Sequence, residues 1–410
     1  MPCYYTAKGW DPAKGETADV ILFNPHLEDL HGDFSVSGRN SVMTIRTRAA
    51  VVRRRGGPFL FEDVEIDDPR ADEALVRMVA CGICHTDIAG RDGALGVPLP
   101  AVFGHEGAGV VECVGSRVGR FRAGDKVVLS FSSCGECPGC LGGHPARCGE
   151  FDALNFGGAR PDGSSTIRDA KGAPLGSSFF GQSSLAGYAT VRERGLVGVE
   201  AVDEDELTIL AALGCGIQAG AGTVLNELKP RRGESIAIFG AGTVGLAALM
   251  AARLAGAAPI VVVDVVASRL ELALELGAAV AIDGRAGDVV EHLRETAGSI
   301  DHAVETTGVS RVIDCAMKAL GSRGNISLLA VSADEGEERV HPKSRDPGQS
   351  VIYSVAGDSD PQTFIPFLIR KHKEGAFPFE RLIRIYPASR INEAVKDSLS
   401  GITVKPVLRF

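Results

Sequence analysis

Four cysteines stand close together in the segment SFSSCGECPGCLGGHPARCGE. They are Cys134, Cys137, Cys140 and Cys148, with the spacing C-x2-C-x2-C-x7-C. Four thiolates at this spacing can surround one tetrahedral zinc ion and leave no open position for a substrate, so such a site stabilises a loop. An iron–sulfur cluster also takes four cysteines, but no second cluster motif is present and zinc is favoured. His144, in the same loop, is interpreted as a solvated residue rather than a ligand.

A second set of metal-binding residue types is spread more widely along the chain. It comprises Cys84 in CGICHTD, His105 in FGHEGAG and Cys215 in LGCGIQAG. One His and two Cys leave the fourth position of a zinc ion open to water or substrate, as a catalytic site requires. Spacing alone does not separate this set from inert core cysteines. That second interpretation is given to Cys3, Cys81, Cys113 and Cys315.

Polar residues beside these candidates favour a metal site. Asp87 follows Cys84 by three residues and can fix the tautomer of His105 without itself binding the metal. Glu106 follows His105 directly and can adjust the local field or approach the metal. A hydroxyl, that of Thr86, also lies nearby. The structural alternatives are a turn or cap for Asp87 and Thr86, and a solvated charge for Glu106.

A glycine-rich turn predicts a dinucleotide site. The run GAGTVG matches G-x-G-x-x-G, follows the apolar strand 235–239 and opens a predicted helix. Its candidate cofactor contacts are Gly240, Gly242, Val244 and Gly245. Asp264 lies 19 residues past the last glycine, at the end of the next predicted strand. An acidic residue there accepts ribose hydroxyls and repels a 2'-phosphate, so NAD is predicted rather than NADP, with a helix cap as the alternative for Asp264.

The elements that must position these residues show two different patterns of predicted secondary structure. Short β-rich pieces, among them 48–53 and 126–129, alternate with glycine-rich turns over 43–216, which predicts a largely antiparallel β-domain containing the zinc loop 130–150. Apolar strands alternate with Ala/Leu-rich helical stretches, among them 243–255 and 268–276, over 217–355, which predicts a doubly wound parallel α/β domain. The segment 356–410 is predicted to return to the first domain. A chain of 410 residues is long enough for two cores.

Charge and hydropathy exclude several classes of protein. The formal net charge is −9 and the longest basic run is 53–55, so a nucleic-acid partner is not expected. Apolar runs such as 260–263 are strand length, well short of the roughly 20 residues of a membrane helix. Because the N-terminus lacks the apolar core of a secretory signal, a cytoplasmic protein is expected. Residues 1–42 are predicted to be a poorly structured extension, the alternative being a translation start at Met43.

Taken together and in this order, the motifs resemble the zinc-containing alcohol dehydrogenases of the medium-chain dehydrogenase/reductase type, over about residues 44–410. The resemblance implies a GroES-like β catalytic domain, a Rossmann cofactor domain, two zinc ions per chain and NAD. It also implies that Cys84, His105 and Cys215 hold the catalytic zinc, with Asp87 and Glu106 behind them.

The same resemblance assigns further roles. Thr86 is the first member of the proton relay, which in many relatives ends at a His where this chain has Ala89. His85 stands where many relatives use Arg to contact the cofactor pyrophosphate, and it can also help to move the proton. Arg269 and Lys405 resemble contacts to the adenosine ribose and to the phosphates, with ordinary surface charge as the alternative for both.

The segments FFGQSSLAGYATV and GDSDPQTFIPFLIRKHKEGAFPFERLI are most similar to the aryl-alcohol (benzyl alcohol) branch of that family, which includes geraniol-oxidising enzymes. The expected reaction is therefore reversible oxidation of primary aromatic or allylic alcohols to aldehydes. A geraniol-type substrate and a thiol-dependent formaldehyde dehydrogenase are the enzymatic alternatives, and an NAD-binding redox sensor is the non-enzymatic one. Zinc-free quinone or enoyl reduction is disfavoured because those relatives lack the zinc ligands. The resemblance also suggests a homodimer or homotetramer.

Overall fold

The computed structural model describes residues 34–35, 44–200, 203–329 and 346–410. The predicted N-terminal extension 1–42 and the alternative start at Met43 lie outside the described residues, apart from Phe34–Ser35, and so does Cys3. The strands, in chain order, are β1 (Phe34–Ser35), β2 (Thr44–Val52), β3 (Leu60–Ile66), β4 (Glu73–Gly82), β5 (Ala101–Val102), β6 (Gly107–Val114), β7 (Lys126–Leu129), β8 (Ile167–Asp169), β9 (Tyr188–Arg192), β10 (Leu196–Gly198), β11 (Ile236–Phe239), β12 (Ile260–Asp264), β13 (Val280–Asp283), β14 (Ile300–Glu305), β15 (Leu320–Leu328), β16 (Ser350–Tyr353), β17 (Ile383–Pro387) and β18 (Lys405–Arg409).

The α-helices, again in chain order, are α1 (His85–Arg91), α2 (Pro138–Leu141), α3 (Phe151–Phe156), α4 (Glu204–Leu210), α5 (Gly216–Gly222), α6 (Thr243–Ala255), α7 (Ala267–Leu276), α8 (Val289–Ala297), α9 (Ser310–Ala319), α10 (Pro361–Lys373) and α11 (Ile391–Leu399). Within the described ranges no single helix has the length and apolar composition of a membrane span. One bent pair, Glu204–Gly214 with Gly216–Leu228, meets both criteria jointly across a 57° angle.

Two sheets of mainly antiparallel strands form the β-rich part. One has the order β1-β2-β3-β8, with β5 paired to β2; the other has the order β10-β7-β6-β4-β18-β17, with β9 paired to β4. In β6 buried and half-buried residues alternate along its second half, as expected for a strand with one face in the core. Strand β4 is buried almost throughout because β6, β9 and β18 all pair with it. Strands β17 and β18, near the C-terminus, thus belong to the same sheet as β4, which ends just before Cys84.

The third sheet is parallel, with the order β13-β12-β11-β14-β15-β16. Numbered from β11, this is the order 3-2-1-4-5-6 of a Rossmann sheet, in which the chain switches direction between β11 and β14. Strand β12 reads Ile-Val-Val-Val-Asp and every residue in it is buried, because helices cover both faces of such a sheet. The predicted α/β fold, with one antiparallel and one parallel part, is confirmed. The limits 43–216, 217–355 and 356–410 stay predictions.

A single apolar cluster joins the two parts of the molecule. It contains Val128 of the antiparallel sheet, Leu213 before α5, Ile217 within α5 and Leu246 of α6, all essentially buried. Helix α5 therefore packs between the two parts, directly after Cys215. A residue at its N-terminus is held by both hydrophobic cores.

Arg160 forms a buried ion pair at the start of β4. Its Nε and Nη2 atoms donate to both carboxylate oxygens of Glu73, at 2.8 and 2.9 Å, and its Nη1 donates to the Ser165 carbonyl at 3.1 Å. Both charged side chains are buried. Arg160→Met is expected to lower the free energy of unfolding by about 3 kcal/mol, because it leaves the Glu73 carboxylate buried without its cation.

Denaturant-induced unfolding measures this loss. The control is Arg46→Met, which removes an exposed ion pair with Glu65 and is expected to change the unfolding free energy by less than about 1 kcal/mol. Equal effects of the two substitutions would show that the Arg160 pair is no more important than a surface pair.

Candidate catalytic metal and cofactor site

The turn after β4 places Cys84 at the start of a helix. Its backbone is extended (φ −118°, ψ 159°) and α1 begins at the next residue. Asp87, in the first turn, accepts a hydrogen bond from the backbone N–H of Cys84 at 2.9 Å. An acidic residue that closes the N-terminus of a helix in this way fixes the direction of the residue before it. The Cys84 side chain is thus oriented locally.

Asp87 also holds the imidazole of His105. Its second oxygen lies 2.9 Å from His105 Nδ1 and accepts the backbone N–H of Gly104 at 2.9 Å. Both side chains are fully buried. Burial disfavours the imidazolium, but the attraction of Asp87 and the hydrogen bond to it outweigh burial and raise the pKa of His105 to about 10. Since a more basic imidazole is a stronger ligand, Asp87 prepares Nε2 for a metal.

The donor atoms of Cys84, His105, Glu106 and Cys215 all lie within 4.8 Å of one another. His105 Nε2 is buried and has no hydrogen-bond partner among the described residues. Because buried polar atoms are normally paired, this nitrogen is available to bind a metal. A hydrogen bond from Cys215 lowers the pKa of Cys84 well below its ordinary value despite burial. Thiolate and imidazole donors at this separation suit zinc.

Glu106 and Lys405 form a buried ion pair beside the donor atoms. The Lys405 ammonium contacts the Glu106 carboxylate and donates to the Ile83 carbonyl at 3.2 Å. Burial opposes the ammonium charge, but Glu106 outweighs burial and raises the pKa of Lys405 to about 12. The other oxygen of Glu106 accepts the backbone N–H of Gly216 at 3.3 Å, one residue past Cys215. The surface-charge alternative for Lys405 is wrong, as is the solvated-charge alternative for Glu106, because neither side chain is exposed.

The three remaining predicted residues of this region lie along α1. The Thr86 hydroxyl is 3.5 Å from the Cys84 sulfur and is partly exposed. His85 is exposed at the start of the helix, and Ala89 is half-buried one turn further on. The Thr86 hydroxyl therefore lies beside one of the candidate metal-binding atoms, on a residue that is only half-buried.

The four cysteines of the zinc loop also converge. The sulfurs of Cys134, Cys137, Cys140 and Cys148 lie within 4.8 Å of one another. Backbone N–H groups point at them: that of Cys134 donates to Cys148, that of Cys137 to Cys134 and that of Gly149 to Cys137, each at 3.3 Å. Bonds from Cys140 and Gly149 lower the pKa of Cys137 to about 6. These bonds favour the thiolate of Cys137, the form that binds zinc, whereas burial raises the pKa of Cys148 to about 12.

His144 is not among these donors, but it is more than a solvated residue. Its Nδ1 lies 3.0 Å from Asp358, and the neighbouring Arg147 Nε donates to the other oxygen of Asp358 at 3.0 Å. His144 is exposed and is not a zinc ligand, as predicted, and its contact with Asp358 is an addition to that prediction. Asp358 stands 214 positions further along the chain, and no sequence signal connected the two.

The glycine-rich turn between β11 and α6 has the shape of a pyrophosphate cradle. Gly240 has φ +96°, and a Cβ on it would lie 2.3 Å from Thr306 Oγ1; a Cβ on Gly245 would lie 1.8 Å from the Gly240 carbonyl. Around Gly242 a Cβ would meet nothing within 4 Å. Val244 is half-buried in the first turn of α6. Two glycines are thus required by packing, and the open side at Gly242 leaves room for a phosphate at the helix N-terminus.

Asp264 ends β12 beside this turn. One oxygen accepts the Ala241 N–H at 2.5 Å, and the other accepts those of Val265 and Val266 at 2.7 and 2.8 Å. The residue therefore also orders the two residues before α7, but it is not the cap of that helix, whose N-cap is Val266 without a side-chain bond. Arg269, in the first turn of α7, has a buried Nε with no hydrogen-bond partner among the described residues. An unpaired guanidinium nitrogen here suits a cofactor oxygen.

A cluster of aromatic residues packs against His105 through Phe179 and Phe180. The rings that form this aromatic cluster are Phe103, Phe131, Phe151, Phe156, Phe179 and Phe180. Phe180 stacks on the His105 ring at 4.4 Å with an interplanar angle of 26°, and Phe179 meets it edge-on at 5.5 Å. Phe156 packs edge-on against Phe180 at 5.2 Å and is partly exposed. The sequence did not predict that the FFGQSS segment contacts His105; there the segment only supported the similarity to the aryl-alcohol branch.

Two family models match the chain. The model described as alcohol dehydrogenase GroES-like domain matches residues 70–201, and the one described as zinc-binding dehydrogenase matches residues 243–370. The chain is 44% identical to geraniol dehydrogenase from Castellaniella defragrans, over 89% of this chain and 98% of that protein. The first family model falls on the antiparallel part and the second on the parallel part. The geraniol dehydrogenase matches nearly the whole of both parts.

Solved structures agree with the relatives. The crystal structure of benzyl alcohol dehydrogenase from Acinetobacter calcoaceticus superposes with a TM-score of 0.83 at 40% identity, covering 88% of this chain and 99% of that one. An alcohol dehydrogenase zinc-binding domain protein from Burkholderia ambifaria gives a TM-score of 0.85 at 50% identity, covering 90% and 99%. The chain belongs to the zinc-containing alcohol dehydrogenases of the medium-chain dehydrogenase/reductase family. It is an NAD-dependent zinc alcohol dehydrogenase, as the resemblance implied.

Removing the charge of Asp264 tests the basis of cofactor choice. Asp264→Asn is expected to raise the ratio of kcat/KM with NADP to kcat/KM with NAD by about 10-fold, because the amide no longer repels a 2'-phosphate. The control is Asp288→Asn, which removes an exposed carboxylate that caps α8 in the same parallel part. If Asp264→Asn leaves the ratio unchanged, or the unmodified enzyme already prefers NADP, the role given to Asp264 is wrong.

Proposed function

We propose that the protein reversibly oxidises primary alcohols whose carbinol carbon adjoins an aromatic ring or a double bond, with benzyl alcohol foremost. The observation that carries the proposal is the aromatic cluster against His105, in which Phe180 stacks on the ring of a candidate metal ligand at 4.4 Å. An alcohol held near His105 meets flat apolar surfaces.

The proposed site uses the residues that converge in the structure. Cys84, His105 and Cys215 hold the catalytic zinc, and the four cysteines of the zinc loop hold the second ion. Asp87 keeps the His105 ring in place, and Glu106 places a buried carboxylate beside the donor atoms. When bound, zinc supplies a Lewis acid for the alcohol oxygen and NAD accepts the hydride.

Thr86 is the group proposed to receive the alcohol proton. Its hydroxyl lies 3.5 Å from the Cys84 sulfur, so it can contact an alcohol oxygen in the same place, and its partial exposure opens a path to water. Because Ala89 supplies no imidazole, the relay ends at water, at the cofactor ribose or at His85. Gly242, Asp264 and Arg269 are proposed to bind the pyrophosphate and the adenosine ribose.

The choice of substrate class has a physical basis. An aromatic ring stacked against Phe156 or Phe180 removes more apolar area from water than ethanol can, at roughly 25 cal/mol per Å². Oxidation beside a ring or a double bond also gives a conjugated aldehyde, which favours the product. The similarity to a geraniol dehydrogenase and to a benzyl alcohol dehydrogenase supports both members of this class, and geraniol is the second candidate substrate.

The substrate proposal is tested by kcat/KM across ethanol, hexanol, geraniol and benzyl alcohol. Phe156→Ala is expected to lower the value for benzyl alcohol by about 10-fold relative to ethanol, since the lost ring contact is available only to a flat substrate. Phe367→Ala, which removes a similarly half-buried ring from α10, is expected to leave this ratio unchanged.

Other outcomes would contradict the substrate proposal. Equal kcat/KM for ethanol and benzyl alcohol would remove the preference for flat alcohols. Turnover restricted to S-hydroxymethyl thiols would instead indicate a thiol-dependent formaldehyde dehydrogenase.

A homodimer or homotetramer is proposed for the assembly. Strand β16 is the last strand of the parallel sheet and pairs only with β15 among the described residues. An edge of this kind can pair with a second copy of itself. Light scattering coupled to size-exclusion chromatography would contradict the proposal if it gave the mass of one chain.

A further inference from the structure

The side chain of Gln182 contacts the backbone of His105, and its amide makes all four hydrogen bonds that an amide can make. Its Nε2 donates to the carbonyls of His105 and Ser130, at 3.0 and 3.2 Å. Its Oε1 accepts the N–H of Gly107 at 3.2 Å and the hydroxyl of Ser184 at 2.9 Å. An amide has two donor hydrogens and two acceptor lone pairs, so the orientation of Gln182 is fully determined.

Ser130 continues this connection toward the other side of the metal site. Its hydroxyl donates to the Gly214 carbonyl at 2.9 Å and accepts a bond from Gln218 Nε2 at 2.6 Å. Gln218 donates to the Gly214 carbonyl as well. Hydrogen bonds thus link the His105 carbonyl through Gln182 to the Ser130 carbonyl, and the Ser130 hydroxyl to the Gly214 carbonyl. Gly214 immediately precedes Cys215, so Ser130 connects the segments that carry the two candidate ligands.

The segment that carries Gln182 is held in an unfavourable conformation. Phe180 and Ser183 flank it with φ of +51° and +52°, a region that non-glycine residues rarely occupy. Such backbone persists only where its surroundings determine it, and it clusters at functional sites. Here it brings the Phe180 ring onto the imidazole of His105 and the Gln182 amide onto the carbonyl of the same residue.

We propose that Gln182, Ser130 and Gln218 form a polar bridge that fixes the separation of His105 and Cys215 and thereby sets the affinity and geometry of the catalytic zinc. The proposal rests on the assignment of Cys84, His105 and Cys215 as ligands. All three bridge residues are buried, so water cannot replace the bonds that they lose. They are positioning residues, since they act through the backbone of the ligands.

The test measures zinc binding as well as turnover. Gln182→Met keeps the shape of the side chain and removes its polar atoms, and Ser130→Ala removes one hydroxyl. Zinc release to a colorimetric chelator and the visible absorption of the cobalt(II)-substituted protein report the affinity and the ligand geometry. Gln182→Met is expected to weaken binding of the catalytic zinc by about 10-fold or more and to shift the cobalt band. The double variant is expected to lose little more than the single ones.

The control is Gln349→Met. Gln349 is buried in the parallel part, where its amide donates to the carbonyls of Met317 and Leu320 at 3.4 Å. Its loss is expected to lower Tm without changing zinc release or the cobalt spectrum. The bridge is overturned if Gln182→Met, or Ser130→Ala should the first variant not fold, lowers Tm but leaves both zinc measurements unchanged.

The ligand assignment is tested separately in the same series. Cys84→Ser should abolish the release phase of the catalytic zinc. If Cys84→Ser still shows that release phase, the ligand set itself is wrong. If Cys84→Ser loses the phase but Gln182→Met binds zinc as the unmodified protein does, only the bridge is refuted.

Discussion

Cys84→Ser is expected to leave one zinc ion per chain instead of two and to reduce turnover by about 10³-fold or more, while NAD still binds. Cys84 belongs to the donor set that lies within 4.8 Å, and a serine hydroxyl is a poor replacement for its thiolate. The loss follows from the several kcal/mol that a Lewis acid contributes to the transition state. The cofactor turn at Gly240 follows β11 of the parallel sheet and does not contain this sulfur. Zinc content, turnover and NAD binding are measured on the same preparation.

Cys81→Ser is the matched control. Cys81 is buried three residues earlier, next to the Ser184 hydroxyl, and is not among the donor atoms. Its replacement should leave both zinc ions in place. Cys134→Ser should differ from both, because loss of the second zinc loosens the loop and lowers Tm. Two zinc ions in the Cys84→Ser protein would refute the assigned ligands.

Thr86→Val is expected to reduce kcat by about 10² to 10⁴-fold, with little change in zinc content or in NAD affinity. Valine has nearly the shape of threonine but cannot receive a proton, and a positioned proton acceptor contributes this range. The hydroxyl is available because it lies at the helix start beside Cys84 and is partly exposed. Steady-state kinetics with benzyl alcohol, together with NAD titration, give the two values.

Two further variants separate a proton role from a structural one. Thr86→Ser retains the hydroxyl and should restore most of the rate. Thr208→Val removes a buried hydroxyl that donates to the Glu204 carbonyl and accepts a bond from Arg409, and it should leave kcat unchanged. A collapse of turnover in His85→Arg at unchanged NAD affinity would instead make His85 the proton acceptor.

Local patterns were sufficient for much of the architecture. The predicted strand 126–129 and helix 243–255 coincide with β7 and α6, and the helix predicted over 268–276 begins one residue earlier as α7. The predicted strand 48–53 begins four residues earlier, as Thr44–Val52. Alternation and helical periodicity are properties of neighbouring residues, so they can be read without the fold, whereas the end of a strand depends on the strands that pair with it.

The sequence by itself determined the zinc loop and the cofactor turn, because each depends on short spacings that a single turn or loop can satisfy. The residue types of the catalytic set were recognised from their motifs, but only the tertiary structure brought the donor atoms of Cys84, His105 and Cys215 within 4.8 Å of one another. Only the tertiary structure decided that Lys405 pairs with Glu106, that Asp358 binds His144 and that Gln182 supports His105, across 77 positions in the last case. These contacts join segments whose distance is set by the pairing of β4 with β18 and by the burial of α5 between two cores. Hydrogen bonds act over about 3 Å, so no pattern of spacing along the chain can show which distant polar groups the sheets will bring within reach.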